Sequence, residues 1–352
     1  MRILIGEISS YKAIVIARYI RAYYPEAEVW AYDNKPIVRF IHTKHVSHCV
    51  RLPFKSIDSY IKALAEYVRS QQIDVLLPVH SDYIGAILKQ KDLFGHALSW
   101  VGNYEDYIQL HEKDHLMHVA ELLGIRVPKT YENIEEARVP FVIKPTNLSS
   151  AKGVQYFLTD KSKSLELKRE QDYIIQEYIA GQGCGYEVYC LEGKILVEYG
   201  HRRLAEWPVS GGSSVLRERY LHPQMRPMAE KILKSVPWTG FAMFEFKVTA
   251  ENELVLIEVN PRLWGSINQA LQDGCPLFDP ILGNSKLITK SNKQEVRTCL
   301  IPQVWMAMIA YAMKGKGVIV KDYWRNKDRT KRDVNFWSDP KGMISMVLRK
   351  ML

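Results

Sequence analysis

Two apolar runs, FAMFEFKV (241–248) and ELVLIEVN (253–260), flank the short polar stretch TAEN. Such a pattern folds as an antiparallel hairpin inside a core. Three polar side chains interrupt it: Glu245 in the middle of the first run, and Glu258 and Asn260 at the end of the second. With the turn over 249–252, Val248 faces Glu253. Glu245, Glu258 and Asn260 then project from one sheet face, the two acids as diagonal neighbours across the strands. Two carboxylates that close among Phe, Met, Leu and Ile are costly unless a cation lies between them. Two carboxylates with an amide oxygen are hard ligands, suited to Mg²⁺ (or Mn²⁺) shared with substrate phosphates. A solvent-facing Glu245, or one paired with Lys247, is the alternative. Arg262, just past the strand end, could hold a phosphoryl or carboxylate group at two points, or be a surface arginine.

The remaining sequence is large enough to house this hairpin. At roughly 100–200 residues per domain, 352 residues make two or three domains, and 25% charged residues with 47% hydrophobic ones is globular composition. The chain opens strand (RILIGE), helix (SSYKAIVIARYIRAYY), strand (AEVWAYD), a unit that predicts a parallel sheet. A helix over Ser56–Gln71 and a strand over Ile73–Val79 continue the alternation, and helical stripes run from Asn103 to about Arg126. From Tyr131 onward short strands and hairpins take over, and from about Pro302 the chain reads as helical. The expected fold is α/β: an N-terminal parallel-sheet domain (1–103), two α+β lobes (104–180 and 181–285), and a helical, basic C-terminal segment (286–352).

Net charge is +9, but residues 314–352 hold eleven Lys and Arg against four Asp and Glu, so the body is nearly neutral. That distribution argues against nucleic acid as a partner. Trp324, Phe336 and Trp337 interleave with the basic residues. Such a segment can lie on an anionic membrane surface, or dock on the body with its charges solvated. Five cysteines without a Cys-x-x-Cys pair fit a reducing compartment. No apolar stretch approaches the ~20 residues that span a bilayer. A cytoplasmic protein, peripheral at the inner membrane face if the tail binds lipid, is the expectation, and a homodimer is a candidate assembly.

Two further segments carry isolated charges. Lys144 is the lone charge of FVIKP and requires an anionic partner, either a phosphate or a carboxylate. Glu177 ends the apolar stretch of IIQEYI; it could accept from an amine beside backbone that reads a base edge, or be a solvated loop acid. In order and spacing, HEKDHL, FVIKP, IIQEYI and Glu245…Glu258-Val-Asn260-Pro-Arg262 resemble the ATP-grasp superfamily, from about Tyr104 to Gly274. That superfamily includes carbamoyl-phosphate synthetases, biotin carboxylases and D-alanine–D-alanine ligases.

The resemblance implies that Lys113 and Lys144 contact nucleotide phosphates, that Glu177 accepts from the adenine amino group, and that backbone near Tyr178 and Ile179 reads the ring. It implies a triphosphate-covering loop at Asn147–Gly153, with Ser149, Ser150 and Lys152 as phosphate contacts, although that loop is poor in glycine. Glu187 would take the ribose hydroxyls, and the Gly181-x-Gly183-x-Gly185 run lies between it and the hinge. His201, Arg203 and the Gly211-Gly212-Ser213 turn resemble the acceptor-facing segment of carbamoyl-phosphate-synthetase-like members. The implied activity is ATP-dependent carboxylate–amine ligation through an acyl phosphate, releasing ADP and phosphate. Lys144, Arg203 and Arg262 would be the catalytic residues. Phosphorylation of a small acid, as in carboxylases, and a non-catalytic nucleotide-binding subunit are the alternatives.

Overall fold

The computed structural model describes all residues except 80, 147–152, 160–171, 210, 284–295 and 350–352. Ser149, Ser150 and Lys152 therefore lie outside the described residues. The chain folds as α/β around three sheets. The first holds β1 (Arg2–Gly6), β2 (Glu28–Asp33), β3 (His48–Arg51) and β4 (Val75–Leu77), in the order β3-β2-β1-β4 with every pair parallel. Helix Tyr11–Tyr23 crosses between β1 and β2 and is capped by Ser10, whose side chain accepts from the Ala13 amide. Helix Ile57–Ser70 starts from a capping box of Ser56 and Ser59.

The second sheet is small: β5 (Thr130–Tyr131), β6 (Phe141–Pro145), β7 (Gln155–Phe157) and β8 (Tyr173–Glu177), ordered β5-β8-β6-β7. The third has seven strands: β9 (Gln182–Leu191), β10 (Lys194–Trp207), β11 (Ser213–Arg219), β12 (Gly240–Val248), β13 (Leu254–Asn260), β14 (Arg297–Cys299) and β15 (Thr330–Arg332), ordered β13-β12-β9-β10-β11-β14-β15.

The parallel sheet and the seven-stranded sheet share one core. Phe241 meets Trp264 and Phe278 edge-on, and Tyr19 of the first helix packs on Phe278. Polar contacts join the same surfaces: Tyr11 donates to the Gly265 carbonyl (3.0 Å), Tyr19 to the Cys275 carbonyl (3.1 Å), and Arg18 to Asn268 (2.9 Å). The four-stranded sheet instead has its own small core of Phe141, Ile143 and Phe157. Of its strands, β8 also reaches the main core, through Ile174.

The C-terminal basic segment is helical, as expected, yet it also contributes β15 beside β14, parallel to it. Asp333, just past β15, is fully buried and ion-paired with the fully buried Arg217 of β11. Asn268 donates to its second oxygen (2.9 Å), and Arg18 donates to its backbone carbonyl (3.0 Å). Asp339 caps helix Pro340–Leu348 and accepts from Thr43. The segment is therefore part of the body through strand pairing and buried charge.

Candidate functional site

Register decides where the acids go, and it differs from the expected one. Val248 faces Leu254 rather than Glu253, and Ile257 is an extra residue on β13. With no interruption, a register starting at Val248–Leu254 would turn Glu258 to the opposite face from Glu245. The bulge at Ile257 restores the parity. Glu245 and Glu258 stand directly opposite each other, closer than the diagonal arrangement expected, and Asn260 shares their face opposite Met243.

The polar groups converge there. The Asn260 amide nitrogen donates to Glu245 (3.2 Å) and Glu258 (2.9 Å), while its oxygen accepts from Arg262 (2.7 Å). Arg203 pairs with Glu245, and the Lys113 ammonium lies 3.8 Å from Glu258. Burial pushes both carboxyls up. For Glu245 burial and the facing Glu258 outweigh Arg203, so its pKa is raised. For Glu258 the opposing pull of Lys113, Asn260 and Lys144 wins, and its pKa stays below the usual carboxylate range. The pair is thus divided into an acid that protonates readily and one held ionised.

A break between two helices places Lys113. Glu112 is extended and separates helix Tyr104–His111 from helix Lys113–Leu122, so Lys113 begins a helix, almost wholly buried, with its ammonium near the Thr146 carbonyl (3.4 Å). Lys144 on β6 has a neutral partner: its ammonium donates to the buried amide oxygen of Gln176 (3.1 Å). No carboxylate among the described residues forms an ion pair with it. Burial, with only partial relief from Glu258, pushes its pKa down to about 8.

Arg203 and His201 reach across the sheet because β9 is stripped of side chains beneath them. A Cβ at Gly183 would sit 3.0 Å from the Arg203 Cδ, and one at Gly185 only 2.5 Å from the His201 Cε1. The glycine run that sequence placed between the hinge and Glu187 is the trough in which these two side chains lie. His201 and Glu187 form a fully buried pair (3.0 Å), and Ser266 donates to the same Glu187 oxygen (2.9 Å). Glu187 therefore supports the wall and does not line the cleft, where the ribose role would require it.

Glu177, Tyr178 and Ile179 line the cleft together, as the hinge resemblance implies. The Glu177 carboxylate already accepts from Arg126 (3.3 Å) and the Lys129 amide (3.2 Å), and the Tyr178 amide donates to the Pro140 carbonyl (3.1 Å). An adenine amine would have to compete for Glu177, and the ring would need backbone other than the Tyr178 amide.

The cleft, about 920 Å³, lies between the two ATP-grasp-like lobes and is bordered by Lys113, Lys144, Glu177, Glu245, Glu258 and Arg262. Its far side comes from residues that sequence reasoning did not select: Ser9–Lys12 after β1, and Tyr311, Lys314 and Lys316. The first group had a legible signal, since loops at the carboxyl ends of parallel strands commonly border ligand crevices. The second is placed by tertiary packing of helix Gln303–Met313 on β10 and β11.

Known proteins share this fold. The ATP-grasp domain family profile matches residues 111–266. Over 188 residues the chain is 26% identical to a D-alanine–D-alanine ligase of Fusobacterium nucleatum subsp. nucleatum, covering 50% of this chain and 64% of that ligase, which is under two thirds of its length. Biotin carboxylase from Campylobacter jejuni, in a complex with β-γ-ATP, superposes with a TM-score of 0.62 at 14% identity, over 80% of this chain and 70% of that one. L-amino acid ligase from Bacillus licheniformis gives a TM-score of 0.59 at 14% identity, over 78% and 70%. The family profile lies over the acid-bearing hairpin and both lysines, so residues 111–266 are similar to an ATP-grasp domain.

Proposed function

We propose that the chain is an ATP-dependent carboxylate–amine ligase. The observation that carries this reading is the direct opposition of Glu245 and Glu258 at the base of a cleft that also gathers Lys113, Lys144 and Arg262. Glu245 and Glu258 would hold Mg²⁺, or Mn²⁺, joined by Asn260 if its amide turns its oxygen inward; such an ion neutralises the charge of nucleotide phosphates. The donor set fits, because two opposed, part-buried carboxylates open on the cleft and share the Asn260 amide nitrogen.

Lys144 and Lys113 would bind the phosphates and hold the terminal phosphoryl in line. An oxygen of the substrate carboxylate attacks the γ-phosphorus, the bond to the bridging oxygen breaks, and ADP leaves with that electron pair. The amine nitrogen then attacks the acyl carbon, the C–O bond to phosphate breaks, and the nitrogen gives up a proton. Arg262, fixed by Asn260 and the Leu263 carbonyl, would orient the acceptor carboxylate and stabilise charge developing on it. Arg203 would act chiefly by fixing Glu245.

Screening ADP release with pairs of amino acids, sugar acids and dicarboxylates tests the reading. Hydroxylamine in place of the amine should trap the acyl phosphate as a hydroxamate. AMP as the nucleotide product would overturn the mechanism. Nucleotide binding without turnover in any acceptor pool would favour a non-catalytic subunit.

The Lys144 ammonium gives a pH signature. Its depressed pKa means that the free protein loses this charge above about pH 8, whereas bound phosphate favours the charged form. ATP affinity should be level below that pH and fall by about tenfold per pH unit above it, one proton being linked to binding. In Lys144→Met the affinity measured by calorimetry should be low at every pH and lack this fall.

A further inference from the structure

Helix Gln303–Met313, QVWMAMIAYAM, contains no charged residue. Val304, Ala307, Met308 and Tyr311 face inward and pack with Ala205, Val215 and Leu216. The outward residues are no more polar: Trp305, Met306, Ile309 and Met313 are 45%, 42%, 63% and 84% exposed. Trp305, Ile309 and Met313 recur every fourth residue and form one stripe about 12 Å long. A surface helix ordinarily carries polar residues on that side, and a continuous apolar face marks a contact surface.

Charge indicates what covers it. From Gln303 to Lys321 there is no Asp or Glu, and exposed Lys314, Lys316 and Lys321 follow the stripe. In the next helix Trp324 is exposed, with the Lys327 ammonium 5.2 Å from its ring. A two-fold contact between copies would bring these lysines against each other without a carboxylate from this stretch to pair them. An anionic lipid surface pairs with them, accepts the apolar stripe, and suits indole rings at the headgroup level. We propose that the outer face of helix Gln303–Met313, with Lys314, Lys316 and Lys321, docks on an anionic bilayer surface. The contact is interfacial, since no helix among the described residues is long and apolar enough to cross a membrane. Lys314 and Lys316 also line the cleft, so docking would set one edge of the cleft beside the headgroups.

The test is sedimentation of the full chain with phosphatidylcholine vesicles, with and without phosphatidylglycerol, at low and high salt. Binding should require phosphatidylglycerol and weaken with salt. Ile309→Gln with Met313→Gln should abolish it, with circular dichroism and thermal midpoint unchanged because both side chains are exposed. Lys314→Gln with Lys316→Gln should weaken it by about 25-fold, at about fivefold per lysine. Failure to sediment at low salt would overturn the proposal, as would sedimentation indifferent to Ile309 and Met313. So would a dimer in sedimentation velocity that the Ile309/Met313 variant dissolves, which would assign the stripe to a second copy.

Discussion

Glu258→Gln should reduce ADP release about 10³-fold, near the upper end of what one electrostatic contact contributes to a transition state, and should lower the thermal midpoint. The two halves of this result have separate causes. Glu258 is the member of the pair held ionised by Lys113, Asn260 and Lys144, so amidation removes the permanent negative charge on which phosphate-bound cation depends. The same change takes from the buried Lys113 ammonium its carboxylate, a loss that outweighs the relief of a like charge opposite Glu245, as the depressed pKa of Glu258 requires. Glu245→Gln should behave differently. Its raised pKa shows that its charge is disfavoured in the fold, and Arg203 keeps Glu206 at 3.5 Å, so the thermal midpoint should stay equal or rise while activity falls. Turnover and thermal scans on the two variants separate the roles; retention of activity in Glu258→Gln would remove the metal assignment.

Asp333→Ala should destabilise the fold by about 3–5 kcal/mol, read from the urea midpoint, because it leaves a fully buried guanidinium without its counter-charge. The double variant Asp333→Ala with Arg217→Met should recover most of that loss, since a buried pair replaced by apolar atoms is often neutral. Loss of the same size in the double variant would show that Asn268 and Arg18, which also bond Asp333, hold the strand in place. Deleting residues 314–352 is accordingly a poor probe of what the basic segment binds, since it removes β15 and Asp333 together with the charges.

Much of the site was legible because its chemistry interrupts apolar strands. Glu245, Glu258 and Lys144 were conspicuous for standing where burial disfavours charge, and the structure brings all three to one cleft. The spacing within the hairpin was less legible. A bulge has no composition of its own, and Ile257 looks like any other strand residue, so the direct opposition of the acids was missed while their shared face was not. Glu187 was assigned to the ribose by resemblance, but the wall that encloses it is made by His201 and Ser266, both distant in sequence. β15, with the sequence Thr-Lys-Arg, has no strand signature at all. It pairs beside β14 next to a charge contact that spans 116 residues, an order of separation that no local pattern records.

The position of β15 also orders events during synthesis. Arg217 emerges from the ribosome long before Asp333, and the seven-stranded sheet cannot bury that arginine with its own counter-ion until the later residue has been made. The nascent chain should therefore keep the β14 edge open and Arg217 hydrated while the cleft's carboxylates are already in hand. Stalled chains ending before residue 333 would then expose that edge to proteases, and the segment from β15 onward would act as the fastener that turns a loose intermediate into the finished body.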